Sequence, residues 1–112
     1  MKIQYCWRCD AEVPMLDESE YEQVRAAYES CLRSVKNYRE QHEAPLKDTP
    51  LAELWRPVQQ VYARLTGVVG LDPEHILKHR ISALGPPCVK CGRPLRTPEA
   101  RKCASCGHSR AA

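Results

Sequence analysis

Four cysteines near the C-terminus have the spacing of a metal site. They form two C-x-x-C pairs, Cys88 with Cys91 and Cys103 with Cys106, and a glycine follows each pair. The two-residue gap lets both sulfurs of one turn face the same point, and the glycine permits the positive φ of a tight turn. Two such turns facing each other supply four sulfurs in a tetrahedron, the donor set of structural zinc. The pattern therefore predicts one zinc ion on these four residues.

Disulfides are the other interpretation of these pairs, and the start of the chain argues against it. Met1-Lys2 leads into a mixed polar segment without the apolar stretch of a secretory signal. No apolar run approaches the roughly 20 residues of a membrane span. We therefore expect a cytoplasmic protein with no membrane contact. In that compartment, C-x-x-C pairs indicate metal ligands before disulfides.

A third pair, Cys6 with Cys9, has no second pair nearby and is two ligands short of a zinc site. His75 and His79 stand at positions i and i+4 of a predicted helix, which places both rings on one face. We therefore predict a second metal on Cys6, Cys9, His79 and, with weaker support, His75. Other ligands available within the chain are His42, His108 and Cys31. Three alternatives stay open: a four-cysteine site shared by a homodimer, a reducible dithiol, and a pair without metal.

The stretch between these cysteine-rich ends has the periodicity of helices. A capping-box-like pair, Asp17 and Glu20, opens a helix expected to end near Glu43 or Ala44, before Pro45. Its apolar seam advances in steps of three and four residues. The seam consists of Tyr21, Val24, Tyr28, Cys31, Val35, Tyr38 and His42. We expect Cys31 to be a small buried hydrophobe rather than a ligand or a redox thiol.

Two further helices are predicted. Thr49-Pro50 is a suitable N-cap and first-turn pair for a helix with apolar positions from Leu51 to Leu65, and Pro57 should kink or break it near Arg56. Asp72-Pro73 opens a third helix that Gly85 should end. The predicted fold is one compact, mainly α domain with an N-terminal C-x-x-C knuckle (1–16). A helical hairpin and a short third helix (17–85), a zinc ribbon with small β content (86–108) and a frayed tail (109–112) follow.

Residues 88–107 resemble a zinc ribbon, a fold in which two C-x-x-C knuckles at hairpin tips clamp one zinc ion. The whole arrangement, with Cys6-Trp7-Arg8-Cys9 at the start, a helical middle and the paired knuckles at the end, resembles small bacterial zinc-ribbon proteins of unassigned function. This resemblance implies bound zinc and no particular activity, because ribbons serve as nucleic-acid-binding, protein-binding or purely structural modules.

Charge and motif content narrow the function classes. Residues 88–112 carry six basic side chains and one acidic side chain, a net charge of +5, whereas residues 1–87 carry −2. The sequence has no catalytic motif, and the predicted four-thiolate zinc has no open position, so we expect no enzyme activity. We predict a protein-interaction or adaptor module braced by zinc. The alternatives are nucleic-acid binding through Arg93, Arg96, Arg101 and Lys102, and a thiol-based redox or metal sensor.

Overall fold

The computed structural model describes residues 1–110 of the chain. Within this range the protein is largely helical and has one small antiparallel sheet, which confirms the mainly α prediction at this level. The elements in chain order are β1 (Lys2–Cys6), β2 (Ala11–Met15), α1 (Glu18–His42), α2 (Leu51–Leu54), α3 (Arg56–Thr66) and α4 (Pro73–Lys78).

Contacts within the chain divide it into two compact units. The first unit contains Met1–Glu18 and the described residues from Lys78 onward, and the second contains Ser19–Leu77. The two ends of the chain therefore fold together in one unit, although about 60 residues separate them in sequence. All three C-x-x-C pairs and His79 belong to the first unit, whereas Cys31 and His75 belong to the second.

The N-terminal segment, for which the sequence predicted a C-x-x-C knuckle, forms a two-stranded hairpin. β1 and β2 pair from Lys2 opposite Met15 to Cys6 opposite Ala11. The turn between them carries Asp10 at a φ of 52°, a left-handed conformation that aspartate tolerates better than most residues. The hydroxyl of Tyr5 donates a hydrogen bond to the Asp10 carboxylate and closes this turn.

The first long helix matches its prediction closely. α1 covers 25 residues, or about 38 Å, and buries Val24 and Cys31 on one face. Cys31 is 2% exposed, which agrees with its expected place as a small buried hydrophobe. Glu43 follows the helix with a φ of 47°, and the N–H of Ala44 reaches back to the carbonyl of Arg39. The helix therefore ends just before Pro45, as expected.

The second predicted helix is divided into two parts. α2 ends at Leu54 and α3 begins at Arg56, because a proline at position 57 is tolerated only in a first turn. The predicted N-cap role of Thr49 is wrong, since Pro50 occupies that position and the Thr49 hydroxyl donates to the carbonyl of Pro45 at 2.9 Å. The ring of Trp55 contacts that of Tyr28 in α1. Antiparallel packing of α1 along the second helix stays a prediction.

The third helix is shorter than predicted. Its start is as expected, with the Asp72 carboxylate accepting a hydrogen bond from the N–H of Glu74 at 2.9 Å. α4 ends at Lys78, however, and not near Gly85. The chain leaves the helix because it pairs with Leu16: the Leu16 N–H donates to the carbonyl of His79, and the Ile81 N–H donates to the carbonyl of Leu16. A tertiary contact thus overrides the local helical pattern.

The end of the described chain is hydrogen-bonded. Ser109 pairs with Lys102 in an antiparallel bridge, and the N–H of Arg110 donates to the carbonyl of Arg101. The Arg110 guanidinium donates to the carbonyl of Pro98 at 2.7 Å. The rest of the predicted frayed tail, residues 111–112, lies outside the described residues.

Candidate metal centres

The two C-terminal knuckles share one hydrogen-bonding pattern. In the first, the N–H of Gly92 donates to the carbonyl of Cys88, and in the second the N–H of Gly107 donates to that of Cys103. Both glycines have a φ of 79°, which explains why glycine follows each pair. The first cysteine of each knuckle also donates its N–H across the turn. The N–H of Cys88 donates to the carbonyl of Arg93, and the N–H of Cys103 donates to the carbonyl of His108. Local sequence therefore shapes both halves of the site in the same way.

These knuckles bring four sulfur atoms together. The Sγ atoms of Cys88, Cys91, Cys103 and Cys106 all lie within 4.8 Å of one another. Two distances across the cluster are 3.7 Å, from Cys88 to Cys106, and 3.6 Å, from Cys91 to Cys103. Sulfurs placed about 2.3 Å from a tetrahedral zinc ion are about 3.8 Å apart, whereas a disulfide needs about 2.05 Å. The spacing fits a shared metal and does not fit disulfides.

The pKa shifts of three of these thiols, Cys88, Cys103 and Cys106, point to the same need for a cation. Hydrogen bonds from backbone N–H groups, that of Cys106 foremost, lower the pKa of Cys103 to about 6. The N–H of Cys91 contributes most to lowering the pKa of Cys88. The N–H of His108 also lowers the pKa of Cys106, but burial and the neighbouring thiols outweigh it and raise that pKa to about 11. A divalent cation would relieve this competition among four sulfurs.

A small core supports the site from within the ribbon. Cys88 and Cys103 are buried and pack with Leu95, which is 3% exposed. The backbone of Gly85 packs closely against this core. A Cβ atom at position 85 would lie 2.3 Å from the carbonyl oxygen of Thr97, so only glycine fits. The predicted β content is limited to single antiparallel bridges among the described residues of the ribbon, including one between Pro87 and Pro94. The ribbon therefore depends on its knuckles and this small core more than on a sheet.

The N-terminal pair has one histidine partner. Ligand atoms of Cys6, Cys9 and His79 all lie within 4.8 Å of one another, and the Cys9 Sγ is 3.3 Å from the His79 Nε2. A sulfur and a nitrogen bound to the same tetrahedral zinc would be about 3.6 Å apart, so this spacing fits a shared metal as well. Cys6 and His79 are each 1% exposed, while Cys9 is partly exposed. Cys6, Cys9 and His79 therefore form a group that could hold a metal ion.

The expected place of His75 differs from the observed one. His75 is exposed, lies on α4 in the other unit and does not belong to the group around Cys9. The prediction assumed that both histidines share one helix face, but α4 ends at Lys78, one residue before His79. The i, i+4 argument therefore rested on a helix that ends before His79, and His79 lies beside the two cysteines for a different reason.

The structure holds His79 by contacts that the sequence pattern did not predict. The backbone of Leu16, directly after β2, hydrogen-bonds to the carbonyl of His79 and to the N–H of Ile81, on either side of Arg80. The Arg80 guanidinium makes a two-pronged ion pair with the Glu18 carboxylate, at 3.0 and 2.6 Å. This guanidinium lowers the pKa of Glu18 to about 2. The link between the chain ends thus positions His79 beside the two cysteines.

The arginines of the ribbon meet aromatic rings from the hairpin. The guanidinium carbon of Arg93 lies 3.9 Å from the ring centroid of Tyr5, and those of Arg96 and Arg8 lie 4.3 and 4.1 Å from the ring of Trp7. The ribbon sequence contains no aromatic residue, so this pairing exists only in the folded first unit. The one hint in the sequence is the placement of both aromatic residues beside Cys6.

Comparisons with protein-family models, with curated proteins and with solved structures find no match to this chain. Within residues 1–110, no helix is both long enough and apolar enough to cross a membrane. The two groups of candidate ligands and the surfaces around them are therefore the features that bear on function.

Proposed function

We propose that this chain is a non-enzymatic zinc protein whose metals brace a module for binding a protein partner. The observation that carries the proposal is the arrangement of Cys88, Cys91, Cys103 and Cys106, whose sulfur spacing matches a tetrahedral four-thiolate zinc site. Such a site has no free position, and its contribution is to hold the ribbon folded. The zinc ribbon suggested by resemblance is the form this brace would take.

A second zinc on Cys6, Cys9 and His79 completes the proposed brace. Its ligands come from the N-terminal hairpin and from the segment after α4, so a metal there would hold the two ends of the chain together. The pKa of Cys9 is raised, first by burial and then by Cys6. A reactive dithiol would need a lowered thiol pKa, so this shift counts against the redox alternative.

The surface proposed for the protein partner lies on the ribbon. A cavity of about 230 Å³ is lined largely by apolar groups, among them Pro86, Pro87 and Leu95. Val89 lies at this cavity and is 89% exposed. Apolar concavities next to an exposed aliphatic residue are typical of sites that receive a partner's side chain. Zinc on the nearby Cys88 would keep this surface in shape.

The test compares two exposed valines. In quantitative affinity capture, Val89→Asp should lose a protein that the wild type retains, because the new charge would be desolvated in the interface. Val69 is 85% exposed and belongs to the helical unit, so Val69→Asp is the matched control and should retain that protein. Zinc content has to be equal in all three proteins. If every captured protein is retained equally by both variants, the ribbon cavity is not the binding surface.

Nucleic-acid binding is a second candidate, and the hairpin aromatics favour it. Arg93 and Arg96 are exposed and stacked on Tyr5 and Trp7, which holds both guanidiniums in place with their N–H edges free to meet phosphates. Arg101 is also exposed. Binding of this kind weakens steeply with salt, in proportion to the phosphates contacted. A fluorescent single-stranded oligonucleotide titrated at 50 and 200 mM salt separates this candidate from apolar protein docking.

A further inference from the structure

The N-terminal group offers three ligands where tetrahedral zinc takes four. Within residues 1–110, no further Cys, His, Asp or Glu places a ligand atom within 4.8 Å of all three of Cys6, Cys9 and His79. The nearby Asp10 carboxylate already accepts a hydrogen bond from Tyr5. Three protein ligands with a free fourth position distinguish zinc that exchanges ligands from zinc that is purely structural. The two groups therefore differ in the number of ligands that they offer, four in the ribbon and three at the N-terminus.

One of the three residues in the group is accessible to solvent. Cys6 and His79 are buried, so they form the inner wall of the group, whereas Cys9 is partly exposed. Apolar side chains surround the inner wall, with Met15 and Leu84 buried beside Cys6. An external ligand would therefore approach on the side of Cys9 and reach a metal that is otherwise shielded.

The surroundings favour an anionic, sulfur-containing ligand. Two thiolates and a neutral imidazole balance the charge of Zn²⁺, so an added anion would need a neighbouring positive charge. Arg8, between the two cysteines, and Arg96, stacked on the same Trp7 ring, supply it. Thiolate is the donor that a soft, cysteine-rich zinc site selects.

We propose that the metal on Cys6, Cys9 and His79 keeps its fourth position open and binds a thiolate from outside the chain. In the absence of a thiol, water would hold the position. On binding, the external thiol would give its proton to solvent, its sulfur would form a bond to the metal, and the water would leave. No electron is transferred. This inference rests on the proposed second zinc, and it makes that site a metal-centred anchor for a cysteine-bearing partner or a small thiol.

The experiment uses full-length protein with both sites loaded with Co²⁺, whose absorption reports the ligand set. Subtracting the spectrum of His79→Ala isolates the N-terminal cobalt, and His75→Ala is the matched control that should retain both metals. If His79→Ala is unfolded by circular dichroism, Cys9→Ser replaces it. 2-Mercaptoethanol is then titrated in, with ethylene glycol as the sulfur-free control. A blocked tripeptide with a central cysteine, and its serine analogue, tests for a peptide source.

We expect the sulfur-to-cobalt charge-transfer band of the N-terminal site to gain intensity with thiol and not with ethylene glycol, while the ribbon spectrum stays constant. Tighter binding of the cysteine peptide than of 2-mercaptoethanol identifies a protein partner, and equal binding identifies a small thiol. Two bound cobalt ions and no response to either thiol would overturn the open position, as would native mass spectrometry showing a dimer that saturates it. One cobalt per wild-type chain would instead overturn the second metal itself, and this inference with it.

Discussion

The two groups of ligands were brought together in different ways. The ribbon site takes all four ligands from 19 consecutive residues, 88–106, and each half is a turn closed by its own glycine. The N-terminal site takes two ligands from a hairpin turn and one from a segment about 70 residues later, which Leu16 holds in place. The first site depends mainly on local conformation, and the second depends on the meeting of the chain ends. Changes to each should therefore have different consequences.

The largest effect is expected at the ribbon. Cys103→Ser should remove the ribbon zinc and unfold the segment after Gly85, because zinc binding contributes on the order of 10 kcal/mol to the folding of such small modules. Zinc content by mass spectrometry and proteolysis of the tail measure the two effects. Ser105→Ala, between the same two cysteines, is the control, since the backbone of Ser105 rather than its hydroxyl supports the Cys103 thiolate. A Cys103→Ser protein with full zinc and an intact tail would contradict the assignment.

The next effect concerns the N-terminal site. His79→Ala should lower the zinc content from two ions per chain to one, because it removes one of three ligands. His75→Ala should keep both ions, because His75 is exposed and outside the group. The ribbon fold should be unchanged in both variants if the two sites are independent. Equal loss of zinc in the two variants would contradict this assignment and would favour a site in which both His75 and His79 bind the metal.

The smallest effect tests how His79 is positioned. Glu18→Gln removes the carboxylate that pairs with Arg80, so metal affinity at the N-terminal site should fall by up to about tenfold while ribbon affinity stays constant. Glu12→Gln, in β2 of the same unit, is the control. Competition with a chelator of known affinity measures both sites. Equal metal affinity of the Glu18 and Glu12 variants at the N-terminal site would show that the backbone pairing of Leu16 is sufficient to position His79.

The same ion pair has a predictable pH dependence. The pKa of Glu18 is lowered from 4.5 to about 2 in the folded protein, so the unfolded state binds the proton more readily. The stability that the pair contributes is therefore fully present above about pH 4.5 and is lost as the pH falls through about 2. The urea midpoint of the wild type should exceed that of Glu18→Gln above about pH 4.5, and this difference should disappear as the pH falls through about 2. A difference that grew on acidification would contradict the direction of the pKa shift.

The sequence by itself determined the elements whose causes are local. The end of α1 before Pro45, the break before Pro57 and the knuckle glycines depend on backbone restrictions within a few residues, and the structure shows all of them. The four-sulfur group follows for the same reason, because each knuckle is shaped within six residues.

Only the tertiary structure decided the features that depend on contacts between chain ends. The pairing of Leu16 with the chain around His79 ended α4 early, against a pattern that predicted helix to Gly85. The same meeting of ends placed Arg93 on Tyr5 and Arg96 on Trp7, and it left His75 outside the second group. Beyond the placement of Tyr5 and Trp7 beside Cys6, the local sequence does not indicate these contacts, because their free energy comes from burial and hydrogen bonds between segments far apart in sequence.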